Sequence, residues 1–144
     1  MKFVIITVAV AFTVPVCAKG ATLAADSLLC EAEPDVQKVD QMENLRAQPG
    51  SMVMKRVAAG AEMWKLDQEI SRRLYTGQRA DNKVAEAQAN EATYRRLQTS
   101  CAESGSAQQA EVIERRAISG LTKIRVQFRG RPAELWTTAG SVTE

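Results

Sequence analysis

The first stretch of this chain constrains its folding most, because it decides the state of the cysteines behind it. Residues 3–16 read FVIITVAVAFTVPV, 14 residues without a charge, preceded by Lys2. Such a run is too short to cross roughly 30 Å of hydrocarbon comfortably, which takes about 20 residues. It has instead the make-up of a secretory signal: a positive start, an apolar centre, and small residues following a helix-breaking Pro15. Val16 and Ala18 suit the recognition positions of a signal peptidase, so residues 1–18 are expected to be cleaved off, with Ala24 as the alternative boundary. Residues 19–144 then form a single exported domain, with no stable membrane span left, and the expected location is periplasmic or secreted. Cys17 would be a lipidation site only with a small residue before it; Val16 is not one, so this cysteine is expected to leave with the signal.

An exported chain folds where thiols oxidise. Once the signal is gone, Cys30 and Cys101 remain as an even pair, and a disulfide between them is expected. Closing so long a loop restricts the unfolded chain and stabilises the fold by about 4 kcal/mol. No metal site is expected, since the chain holds no histidine and two thiolates alone are too few for tetrahedral zinc.

The missing histidine also narrows function. It removes Ser-His-Asp and Cys-His nucleophiles and imidazole bases, so an enzyme would have to work with carboxylates, lysine or serine. No cofactor is expected. Without Lys2 the 19 basic residues become 18 against 17 acidic ones. A domain so near neutrality does not call for a nucleic-acid partner.

Helical periods organise the middle of the chain. Pro34 and Asp35 suit a helix start, giving a short helix over about 34–46. Ser51 is a candidate N-cap for a long helix to about residue 76, and its apolar stripe is Ala59, Met63, Leu66, Ile70 and Leu74, widened by Val57 and Trp64. Gly77 ends it, GQRA connects, and Asp81 caps a second helix to about residue 100 with a thin stripe of Val84, Ala87, Tyr94, Leu97 and Cys101. An antiparallel pairing of the two is expected. A third helix over about 107–120 places Ala110, Ile113, Ala117 and Leu121 on one side. Then the period drops to two: Ile124, Val126 and Phe128 alternate with Arg125, Gln127 and Arg129, which predicts a β-hairpin over about 123–139. The predicted fold is thus mainly α, an antiparallel helical hairpin plus a third helix, with a small C-terminal β-hairpin.

No catalytic set stands out. Glu103-Ser104 at a helix end, followed by Gly120-Leu121, resembles the catalytic passage of lytic transglycosylases over about 20 residues, and that resemblance implies a cell-wall hydrolase with Glu103 as its acid. Only 41 residues follow Glu103, however, too few for a glycan-binding lobe, and a helix-ending ESGS loop is the preferred reading. The pairs Arg72-Arg73, Arg95-Arg96 and Arg115-Arg116 stand among acids and read as solvated mixed-charge faces. In the hairpin, Lys123, Arg125, Arg129 and Arg131 lie on a segment without acids and are, with Trp136, the candidate partner-binding residues. Charges on an edge strand also block edge-to-edge aggregation, which is the plainer role.

These features favour a non-enzymatic envelope protein that acts by protein–protein contact with another envelope or secreted protein, as an accessory factor of a secretion or conjugation apparatus or as an inhibitor. A secreted effector or toxin is the first alternative, and a small hydrolase using Glu103 the second.

Overall fold

Residues 20–46 and 50–144 are described by a computed structural model. The signal segment, Cys17 and the Ala18 boundary lie outside the described residues. The chain opens with a bent extended segment whose arms are strands β1 (Ala21–Leu23) and β2 (Leu28–Cys30). Asp26 at the bend takes a positive φ of 54°. Two short helices follow, α1 (Glu33–Gln41) and α2 (Glu43–Arg46), then the long pair α3 (Gly50–Leu74) and α4 (Gly77–Ser100). The remainder is β3 (Cys101–Glu103), β4 (Gln108–Arg116), β5 (Leu121–Phe128), β6 (Arg131–Thr138) and, after a 3₁₀ turn, β7 (Val142–Thr143).

All seven strands belong to one sheet, ordered β3-β2-β6-β5-β4-β1-β7, with every neighbouring pair antiparallel. Because β1 pairs with β4 while β2 pairs with β6, the same bent segment lies on both sides of the central β4-β5-β6 meander. The sheet therefore curls. The segment after β3 follows the same bend: the Asp26 amide donates to the Gly105 carbonyl at 2.7 Å, and the Ser104 amide to the Ser27 carbonyl at 2.9 Å.

This architecture corrects the expectation of a mainly α chain with a small hairpin. Residues 107–120 do not form a helix; they are β4 and the turn behind it. Gln, Glu, Arg and Ala favour a helix by only tenths of a kcal/mol each, and pairing overrides that. Ala110 lies opposite Val126, and Val112 opposite Ile124, both on the inner face. A bulge between Val112 and Glu114 then shifts the register, so the strand never shows an unbroken two-residue period. The predicted C-terminal hairpin is β5-β6, closed by Arg129 and Gly130 with positive φ of 52° and 79°, as a two-residue turn between twisted strands requires. It is the middle of the sheet, not an appendage. The helix expected over 34–46 breaks at Met42 into α1 and α2, and α4 begins at Gly77, before the expected Asp81. With its φ of 59°, Gly77 makes the reversal between α3 and α4 that the GQRA stretch was expected to make.

Each face of the curled sheet buries an apolar cluster. The inner face buries Leu23, Leu29, Ile124, Val126, Leu135 and Val142 against one another. On the outer face, Cys30, Leu121 and Trp136 meet Val36, Leu45, Val57 and Leu97 from the helices. Cys30 and Cys101 stand opposite each other in register on β2 and β3, 4.1 Å apart at Cα, and are joined by the disulfide. Beside it, the buried Asp35 carboxylate of α1 accepts a hydrogen bond from the Ser100 hydroxyl at 2.7 Å and pairs with Arg96 at 2.9 Å, tying α1 to the end of α4. Among the described residues no helix is long and apolar enough to cross a membrane.

Candidate functional site

The residues nominated from the sequence do not converge. Arg125, on the central strand β5, bridges Glu111 on β4 at 2.8 Å and Glu134 on β6 at 2.9 Å, and Lys123 reaches Glu134 at 3.2 Å. The three carboxylate and guanidinium groups stand in register across three strands. Hydrogen bonding to Glu134, then the field of Glu111, pushes the Arg125 guanidinium above its usual range, while the Arg125 and Lys123 hydrogen bonds hold the Glu134 carboxyl below the carboxylate range. The acids missing from the local sequence are supplied by the neighbouring strands. Half of the expected basic patch is thereby neutralised.

Trp136 is buried beneath the Arg116 guanidinium, 5.6 Å from its ring centroid, next to the disulfide. It is core. Arg129 and Arg131, at the end of the β5-β6 hairpin, make no ion pair among the described residues. They line a small cleft with Glu31 and Cys101, beside β6. β6 meets β2 only at Trp136 opposite Cys30, so its Arg131–Leu135 edge is open; Pro132, which has no N–H to offer, makes that edge a poor template. Glu103 lies on β3 opposite Leu28 and accepts a hydrogen bond from the Met54 amide near the start of α3, at 3.3 Å. Its visible role is to hold that helix end.

The most unusual surface is on the α3-α4 hairpin. Near the sheet the two helices pack as expected of a core, through Val53, Val57, Ala61, Tyr94 and Leu97. A Cβ at Gly60 would fall 2.1 Å from the Tyr94 ring, so only glycine allows this approach. Farther out the pattern inverts. The buried positions of α3 become Gln68 and Ser71, with Gln68 donating to Glu91 of α4 and to the Trp64 carbonyl. The Trp64 indole N–H is buried there without a partner among the described residues. Glu91 and Glu62 both pair with Arg95, which holds the Glu62 carboxyl low and the Arg95 guanidinium high.

The apolar stripe expected to be core points the other way. Met63, Leu66, Ile70 and Leu74 are 57, 55, 41 and 70 % exposed. They repeat at spacings of three and four along one face of α3, a seam of the kind helices bury against other helices. Of the three arginine pairs, Arg95-Arg96 and Arg115-Arg116 are engaged with Glu62, Asp35, Glu144 and Glu114. Arg72-Arg73, beside the stripe, makes no ion pair among the described residues. Ile118, on the β4-β5 turn, is also fully exposed, but it stands alone.

Compared with protein-family models, curated proteins and solved structures, the chain matches none. The distal α3 stripe is the most distinctive feature of the described surface. A polar seam inside and an apolar seam outside is the reverse of what an isolated hairpin in water favours.

Proposed function

We propose that the chain is an exported, non-enzymatic protein of the periplasm or the extracellular space, that it acts by protein–protein contact, and that the distal half of the α3-α4 hairpin is its contact surface. The observation that carries this reading is the outward stripe Met63, Leu66, Ile70 and Leu74 over a polar seam. An exposed contiguous apolar patch on a small domain is a mark of an interaction site, and an amphipathic helix is read by its partners through such three- and four-residue anchors. The Cys30–Cys101 bond supports the location, because such bridges persist in oxidising compartments. Cleavage after Ala18 is preferred to cleavage after Ala24, which would remove β1 with its buried Ala21 and Leu23.

The test is recovery of partners from an envelope or culture-medium extract by the wild type and by Ile70→Glu. A stoichiometric protein held by the first and lost by the second is expected. Equal recovery by both would end this reading. N-terminal sequencing of the mature chain is expected to begin at Lys19.

A further inference from the structure

Resting on that reading of the distal hairpin, the geometry points to a second copy of this chain as the occupant of the stripe, lying antiparallel and crossing at Ile70. The segment Leu66–Leu74 reads LDQEISRRL. Gln68 and Ser71 are turned inward toward α4, Asp67 is half-buried, and the remaining side chains are exposed. Around Ile70 this surface is symmetric in shape and opposite in charge: a leucine lies four residues to either side, acids precede it and arginines follow it. At 3.6 residues per turn, Leu66 and Leu74 fall about 40° to either side of Ile70, and Glu69 and Arg73 share one flank.

A twofold axis through Ile70 turns that pattern into an interface. Ile70 meets Ile70, and Leu66 meets Leu74 of the second copy. The shared flank meets itself with its heights inverted, which sets Arg73 of each copy beside Glu69 of the other. Such self-complementarity is what an isologous contact requires. A parallel copy is disfavoured, because it brings the Glu62-Glu69 flank against the opposite flank, which carries Asp67. Neither Glu69 nor Arg73 makes an ion pair among the described residues, so both are available to a mate. The crossing point lies well along α3 from its sheet-facing Val53 and Val57, so two hairpins overlap at their outer halves and the two sheets stay apart.

Sedimentation equilibrium of the full mature chain is expected to show a concentration-dependent dimer. Ile70→Glu places two carboxylates on the axis and is expected to weaken it at least tenfold, with thermal unfolding of the monomer unchanged because the site is exposed. Glu69→Arg should weaken the dimer and the double exchange Glu69→Arg with Arg73→Glu should restore it. Orientation is read by cysteine cross-linking: a mixture of Leu66→Cys and Leu74→Cys chains should link across the two variants, and Leu66→Cys alone should not. A chain that stays monomeric at every concentration overturns the inference, as does a dimer indifferent to Ile70→Glu or one that links Leu66 to Leu66. A monomer that still loses an extract partner through Ile70→Glu overturns the second copy and keeps the contact surface.

Discussion

The inner and outer halves of the α3-α4 hairpin follow the same helical period and bury opposite chemistry. Near the sheet α3 turns Val53, Val57 and Ala61 toward α4 and the body; beyond Ala61 it turns Gln68 and Ser71 inward and leaves Met63, Leu66, Ile70 and Leu74 outside. Two apolar stripes thus run on one helix at different phases. The first is satisfied within the chain. The second is left exposed; hydrophobic periodicity thus marks an apolar face without saying whether the chain itself covers it.

The largest expected effect is at the foot of the inner half. Replacing Cys30 and Cys101 by serine together should lower unfolding free energy by about 4 kcal/mol in denaturant titration, since the bridge sits where α4 passes into the sheet. A leucine pair then tests the contrast directly. Leu97→Ala, at a fully buried position, should cost about 2–5 kcal/mol, whereas Leu66→Ala on the outer stripe should change monomer stability by less than about 0.5 kcal/mol. Similar losses at both would erase the distinction between the halves.

Gly60→Ala sharpens it further. In an ordinary helix this exchange gains about 1 kcal/mol. Here the added carbon meets the buried Tyr94 ring, and a net loss of about 1–3 kcal/mol is expected. In the outer half, exchanging Gln68 and Glu91 together for leucine should leave stability within about 1 kcal/mol of wild type or raise it, because replacing both polar partners abandons no buried group. A larger loss would show that the polar seam itself holds the hairpin.

Acid gives the smallest effect. The Glu62 and Glu134 carboxyls are held below their ordinary range by Arg95 and by Arg125 with Lys123. Their ion pairs contribute fully above the unfolded carboxylate value of about 4.3 and lose that contribution as pH falls through the depressed folded values. Both sites are exposed, so a slight fall of the thermal midpoint below about pH 4 is expected. It should shrink in Glu62→Gln with Glu134→Gln, and flatten in high salt.

Much of the helical part was legible in the sequence. Spacings of three and four marked two long helices, although the expected caps Ser51 and Asp81 both lie inside them, and the oxidised pair was legible from its count. The alternation Ile124, Val126, Phe128 marked β5 because that strand buries one face without a bulge. The rest was hidden for physical reasons. β1, β2 and β3 are three residues each, too short to show a period. β4 is built from helix formers and broken by its bulge. Neighbouring strands neutralise Arg125 and Lys123, which no local window of sequence reveals. The candidate surface was found as residues and misassigned as core: Met63, Leu66, Ile70 and Leu74 look identical on paper whether they face a sheet or solvent.

The bent segment at the head of the domain has a kinetic consequence. β1 pairs with β4 and with β7, and the Thr143 hydroxyl reaches the Thr22 carbonyl across 121 residues. Pairings this distant in sequence form late, after the entropy of a long loop has been overcome. The β4-β5-β6 meander is local, but closure of the sheet by β1 and β7 is therefore expected to wait until the last strand is available. Under the export proposed above, such delayed closure would keep the polypeptide extended during passage, and the disulfide would form after arrival.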